Sequence, residues 1–235
     1  DSRLNRLYWI DINDKKVSFL QNGTISDLQL DAMPGTLVLT PDPDVVVLAL
    51  DSGLAKFNVE SGAATQVLPF PESAELRFND GKCDAEGSLW VGSMDRDDKK
   101  GAGTLYRIDP DYNCVPMLRH VTVSNGICWN ASGTTMYFVD SATREVHAFD
   151  YDSLVGVISG RRTLVKVAED RGFPDGMTID ANGNLWVAHW LGSCVACYDA
   201  KSGETLDVID VPTPRVTACW FGGEMLDTLY ITTAK

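Results

Sequence analysis

The sequence predicts an all-β fold, a six-bladed β-propeller whose first and last blades are incomplete, and three observations carry that expectation. Strand-like apolar runs fill the chain without a helical period among them. Apolar-aromatic strand starts recur every 39 to 49 residues, and turn sequences ending in glycine precede several of these starts.

The runs include Leu7-Tyr8-Trp9-Ile10, Val45-Val46-Val47-Leu48-Ala49-Leu50, Leu105-Tyr106-Arg107-Ile108 and Val146-His147-Ala148-Phe149, separated by turn pairs such as Asn22-Gly23, Ser61-Gly62 and Ser202-Gly203. The strand starts fall at Leu7-Tyr8, Val46-Val47, Leu89-Trp90, Met136-Tyr137, Leu185-Trp186 and Leu229-Tyr230. Such a period, with several short strands per unit, marks propeller blades. Six starts imply six blades. The first unit begins without its innermost strand and the last stops at Ala234-Lys235, so the reading expects both end blades to be partial. The preceding turns, Asp84-Ala85-Glu86-Gly87, Asn130-Ala131-Ser132-Gly133 and Asp180-Ala181-Asn182-Gly183, are read as Asx turns rather than calcium loops.

A chain of 235 residues is expected to form one propeller domain over 1–235. Its 20 Lys and Arg stand against 33 Asp and Glu, a formal charge of −13, which repels phosphate backbones and anionic membrane surfaces. Nucleic acid and membrane are therefore excluded as expected partners; oligomeric state is left open. The six cysteines are too sparse for a disulfide scaffold, so the chain is expected to be cytoplasmic with reduced thiols. In a strand the two thiols of Cys194-Val195-Ala196-Cys197 point to opposite faces, which argues against chelation. His120, His147 and His189 are dispersed, and no Gly-x-Ser-x-Gly text accompanies them, so a Ser-His-Asp hydrolase is not expected.

Counting back five residues from each turn Asx reaches Asn79, Asn125 and Asp175. Three successive units thus place an oxygen-bearing side chain at one equivalent position, each followed within two residues by glycine (Gly81, Gly126, Gly176). At the start of the innermost strand such side chains converge near the axis. Two amide oxygens and a carboxylate suit a hard cation better than a structural zinc. Gly35 takes the slot in the second unit and Thr217-Ala218 lies near it in the sixth.

At these residues the sequence resembles the regucalcin (senescence marker protein)/gluconolactonase/luciferin-regenerating-enzyme family. The matching text includes Leu7-Tyr8-Trp9-Ile10-Asp11-Ile12, Arg77-Phe78-Asn79-Asp80-Gly81-Lys82, Ser124-Asn125-Gly126, Pro174-Asp175-Gly176-Met177 and Phe221-Gly222-Gly223. The resemblance implies a metal-dependent hydrolase that opens small sugar lactones. It carries Asn125 and Asp175 over as ligands of one divalent cation on the axis, Ca²⁺ first, with Mn²⁺, Mg²⁺ or Zn²⁺ as alternatives. It makes Asp175 the catalytic general base, and Arg77 and Asn79 substrate-binding residues. The family's ligand Glu precedes Asp1, so a further carboxylate is expected about five residues upstream, where the count also puts the first unit's slot. A family acid in the loop after the Arg-Phe-Asn-Asp-Gly-Lys string corresponds to Asp95, Asp97 or Asp98 without a choice among them. A phosphotriesterase on the same metal and a non-enzymatic calcium-binding or interaction propeller are the competing readings.

Overall fold

A computed structural model describes residues 1–234, and Lys235 lies outside them. The strands form six antiparallel sheets in chain order. β1 (Arg6–Asp11), β2 (Lys16–Gln21) and β3 (Thr24–Gln29) make the first; β4 (Pro34–Leu39), β5 (Val45–Leu50), β6 (Gly53–Asn58) and β7 (Ala64–Pro69) the second. β8 (Leu76–Cys83), β9 (Leu89–Asp95), β10 (Gly103–Ile108) and β11 (Cys114–Val121) form the third, and β12 (Ser124–Trp129), β13 (Thr135–Asp140), β14 (Glu145–Asp152) and β15 (Val157–Lys166) the fourth. β16 (Phe173–Ile179), β17 (Leu185–Trp190), β18 (Cys194–Tyr198) and β19 (Thr205–Asp210) form the fifth, with β20 (Val216–Gly222) and β21 (Thr228–Thr233) as the last.

The chain is an all-β propeller, and its six units are not six full blades. Only four sheets hold a full set of four strands; the first has three and the last two. The aromatic start that suggested six lies in the second strand of each four-stranded sheet, as at Trp90 in β9 and Tyr137 in β13. It registers a unit wherever that strand is present, whatever the number of its neighbours.

Successive side chains of a strand point to opposite faces, and here both faces are covered. Val46, Leu48 and Leu50 of β5 pack against the first sheet beside Val17 and Leu30, whereas Val47 and Ala49 pack against the third beside Phe78, Leu89 and Val91. This double burial is why β5 is an uninterrupted apolar run instead of an alternating one. The core is thus a series of layers between blades, continued by Trp90, Leu105, Phe138 and Phe149 between the third and fourth sheets and by Val139, Val146, Leu185 and Val187 between the fourth and fifth.

The Asx turns close these layers. Asp84 Oδ1 accepts the backbone N–H groups of Glu86 and Ser88 at 3.1 and 2.8 Å. Its Oδ2 accepts Trp90 Nε1 at 2.9 Å and the Tyr151 hydroxyl at 2.8 Å. Asp180 repeats the device, with Oδ1 on the Asn182 and Asn184 N–H groups and Oδ2 on Trp186 Nε1 at 3.0 Å. Each turn is therefore tied to the aromatic strand start that follows it, and all three turns serve as Asx turns.

Candidate functional site

The innermost strands β4, β8, β12, β16 and β20 all carry a β-bulge near their start. In β8, Phe78 pairs Ser93 but Gly81 pairs Val91; in β12, Ser124 pairs Asp140 but Ile127 pairs Phe138; in β16, Pro174 pairs His189 but Met177 pairs Val187. One extra residue is absorbed each time, and the register aligns Asn79, Asn125 and Asp175 at it. β4 and β20 shift at Gly35 and Thr217. A bulge re-aims the side chain it carries away from the regular pleat, which is how five inner strands turn one position each out of the inter-blade layers.

Close backbone approach needs glycine beside two of these residues. A Cβ on Gly126 would lie 2.6 Å from Met177 Cβ and 2.7 Å from the Asp175 carbonyl oxygen; one on Gly176 would lie 2.7 Å from the Thr217 carbonyl oxygen. β12, β16 and β20 therefore touch at the bulges. At the register position of these glycines β8 has Asp80, whose carboxylate accepts the Gly81 N–H at 2.7 Å. Counting back from the turns missed Asp80, although the string Asn79-Asp80-Gly81 shows one residue between amide and glycine where the other two units show none.

Arg77, Asn79 and Asn125 are joined by hydrogen bonds, whereas Asp175 is linked to them only through Ser141 and the backbone of Pro174. Arg77 Nη1 donates to Asn79 Oδ1 at 2.8 Å and to the Phe78 carbonyl at 3.0 Å. Asn79 Nδ2 donates to Asn125 Oδ1 at 2.9 Å and to the Ser124 carbonyl at 2.7 Å. Asn125 Nδ2 donates to Ser141 Oγ at 2.7 Å, and Ser141 Oγ donates to the Pro174 carbonyl at 2.6 Å, one residue before Asp175. Arg77 is thus held by Asn79 and the Phe78 carbonyl and makes no ion pair with Glu75 or Asp80.

The electrostatics follow from burial of like charges. Asp175 is held well above the ordinary carboxylate range, first by desolvation and then by the charge of Asp80. Desolvation also raises Asp80, against the opposing pull of Lys82. Lys82 donates to the Met177 carbonyl at 3.0 Å and sits 4.1 Å over the Trp220 ring, and its burial lowers its proton affinity. The amine thus bridges the third, fifth and last sheets just beyond the bulge ring. Arg77 is likewise pushed down by burial and by the neighbouring Arg96, while Asp98 and Asp51 act to hold its proton.

That last relation separates the three loop acids. Asp95 is buried, and its carboxylate accepts the Asp97 N–H at 2.8 Å, a turn-forming role. Asp98, at φ 57°, is the acid whose charge reaches Arg77. The loop is strapped down by Arg96, which donates to Asp51 Oδ2 at 3.0 Å and to the Ala74 carbonyl at 3.1 Å.

The chain's own donors for a cation are oxygens: the Asp175 carboxylate and Asn125 Oδ1. No group of three His, Cys, Asp or Glu residues able to hold a metal occurs among the described residues. One carboxylate with amide oxygens suits a hard, partly hydrated cation, and two repelling half-buried carboxylates would be relieved by one. The set fits a divalent cation in an open site and does not make a closed structural one. A groove of about 590 Å³ between the second and third sheets, lined by Val47, Leu54, Leu89, Ile108 and Tyr112, opens at the far ends of β4 and β8 and is separate from this ring.

Two of the histidines are core residues. Arg161 Nη2 lies 2.7 Å from His147 Nε2, and because arginine only donates, the ring proton sits on Nδ1. His189 Nδ1 lies 2.8 Å from the Arg171 carbonyl, which only accepts, leaving Nε2 for the Tyr198 hydroxyl at 3.0 Å. Burial pushes both rings below the ordinary histidine range. Each folded ring refuses a proton that the unfolded chain accepts below about pH 6.5, so stability is full above that pH and falls as the medium is acidified, by up to about 1.4 kcal/mol per pH unit per ring. Imidazole NMR shifts recorded from pH 7.5 to 5 should show both rings less than half protonated at 6.5; half-titration there by either ring would overturn the assignment.

The fold is a β-propeller whose inner-strand bulges carry amide and carboxylate side chains at one register position. Residues 1–235 match the SMP-30/Gluconolactonase/LRE-like region, and the chain belongs to that family. It is 36% identical over 232 residues to regucalcin of Danio rerio, covering 97% of this chain and 78% of the relative. It is 33% identical over 236 residues to a Bacillus subtilis protein provisionally named as a sugar lactone lactonase, covering 100% and 81%. Among solved structures, a luciferin-regenerating enzyme superimposes with a TM-score of 0.94 at 31% identity, over 100% of this chain and 81% of that one. A calcium-binding protein, regucalcin from Agrobacterium tumefaciens, gives 0.94 at 26% identity, over 100% and 80%.

Proposed function

We propose that this chain is a metal-dependent hydrolase of small sugar lactones. The observation that carries the reading is the hydrogen-bonded series Arg77, Asn79, Asn125, which crosses two blades at the bulges and ends beside Asp175. The family, and the Bacillus subtilis relative named as a sugar lactone lactonase, support the substrate class. Regucalcin from Agrobacterium tumefaciens, described as a calcium-binding protein, supports the cation.

In this reading Asn125 and Asp175 hold one divalent cation, Ca²⁺ before Mn²⁺, Mg²⁺ or Zn²⁺. When bound, the cation supplies Lewis-acid polarisation of the ester carbonyl. Asp175, whose basicity burial and Asp80 raise and a bound cation would lower, takes the proton of the attacking water. The Arg77 guanidinium, with its remaining donors free of Asn79, holds substrate hydroxyls or the developing carboxylate, and Asn79 fixes its direction. Six free cysteines support a reducing, cytoplasmic setting, and no helix among the described residues is long and apolar enough to cross a membrane.

The test is a panel of sugar lactones assayed by release of acid, with the chain stripped by chelator and reloaded with each cation. Hydrolysis should vanish on stripping and return with Ca²⁺ or Mn²⁺. Cation binding without turnover on any lactone would instead establish a calcium-binding propeller, and turnover indifferent to chelation would remove the metal from the reading.

A further inference from the structure

We propose that Ser141, on the short turn Ser141–Thr143 between β13 and β14, is the positioning residue that aims the Asn125 amide oxygen at the cation. The inference rests on the metal reading above and deepens it.

The direction of every hydrogen bond in the series is forced from its ends. Arg77 can only donate, so Asn79 must present Oδ1 to it and turn its NH₂ toward the Ser124 carbonyl, which can only accept. That NH₂ also faces Asn125, so Asn125 must present its oxygen there, at 2.9 Å. Its own NH₂ then points the other way, where it needs an acceptor. Ser141 Oγ is that acceptor, at 2.7 Å, and it can accept freely because its proton is committed to the Pro174 carbonyl at 2.6 Å. The amide orientation of Asn125 is therefore fixed by chemistry at both ends and does not depend on telling oxygen from nitrogen by shape.

An amide has one oxygen to offer a cation, and flipping it presents two N–H donors instead. Ser141, Asn125 and Asn79 are all buried, so water does not replace a lost partner cheaply. Groups that orient metal ligands from behind commonly contribute a factor of about 10–100 in metal affinity. Ser141 also ties the turn before β14 to Pro174, so the same hydroxyl holds the backbone entering the Asp175 bulge.

Calorimetric titration with Ca²⁺ and with Mn²⁺ tests this directly, independent of turnover. The Ser141→Ala chain should bind about 10–100-fold more weakly than the unaltered chain. Ser141→Cys, close in size but a poor acceptor, should lose nearly as much, and Ser141→Thr, which keeps the hydroxyl, should recover most of the affinity. The decisive background is Asn125→Asp, because a carboxylate has no wrong way round: there, Ser141→Ala should change the dissociation constant by less than about 3-fold, well short of that orienting factor. An equal loss in both backgrounds would overturn the orienting role in favour of a purely structural one. Binding to the unaltered chain and to Ser141→Ala alike would remove Ser141 alone, whereas no binding to the unaltered chain would remove the metal reading and this role together.

Discussion

Replacing Asp175 by Ala should lower kcat for lactone opening by about 10²–10⁴-fold from the lost base alone, with a further loss from the missing cation ligand. Asp175→Asn separates the two contributions, since it keeps an oxygen donor and discards the basicity. It should bind metal more weakly than the parent and remain inactive when saturated. Either variant turning over near the parental rate with metal bound would remove Asp175 from the chemistry. The same substitutions should stabilise the metal-free fold at neutral pH. Asp175 is raised by desolvation and by Asp80, so its ionised form opposes folding once the pH exceeds the unfolded value, and neutralising it relieves that opposition. The gain appears as roughly 2–4 °C in Tm for each 1 kcal/mol recovered in a chain of this size. A fall in the Tm of metal-free Asp175→Asn would contradict the charge repulsion described for the site.

Trp90→Ala should produce the largest loss of stability, about 3–5 kcal/mol. Trp90 is fully buried between the third and fourth sheets, edge-on to Trp129 at 6.1 Å and to Tyr151 at 5.8 Å. Its indole N–H also satisfies Asp84, the turn acid of its own unit, at 2.9 Å. Truncation removes the apolar contacts of this layer and leaves a buried carboxylate oxygen with the Tyr151 hydroxyl as its hydrogen-bond donor and Arg107 Nε 4.0 Å away. Trp90→Phe, which restores most of the volume, isolates the hydrogen bond and should cost about 1.5–3 kcal/mol. Urea unfolding monitored by far-UV circular dichroism measures both, and a loss under 1 kcal/mol for Trp90→Ala would show that the inter-blade layer repacks around the hole.

The propeller was legible in the sequence because its units repeat a local device, an apolar strand start that in several follows an Asx turn, closed in the third and fifth units by a tryptophan whose indole N–H bonds the turn acid. Asn79, Asn125 and Asp175 were found by counting from those same turns, and the register of β8, β12 and β16 aligns them. What the count could not reveal were relations between units. Lys82 meets Met177, 95 residues away, and Ser141 lies 16 residues beyond Asn125 on a different connection; no periodicity links either pair. The bulges were hidden as well, since one inserted residue beside a glycine leaves no mark on an apolar run. The six strand starts count units and not full blades, because the marker lies in a strand that the three-stranded first and two-stranded last sheets also keep.

The insertion in each inner strand has a consequence for how such a mouth can change over time. Because the extra residue is taken up within the bulge, pairing resumes on either side and the inter-blade layers are indifferent to what the protruding side chain is. The five positions act as sockets around one axis, but they are not equally open. A side chain at Gly35 would begin with a Cβ 2.5 Å from the Phe78 carbonyl oxygen and 2.6 Å from that of Asn79, so that socket is sealed by backbone. Thr217 already carries a side chain, whose hydroxyl meets that of Thr232 at 2.7 Å near the surface. A single substitution there would add or withhold a charge beside the bulge without rebuilding a blade, so the β20 position can change while the scaffold stays the same.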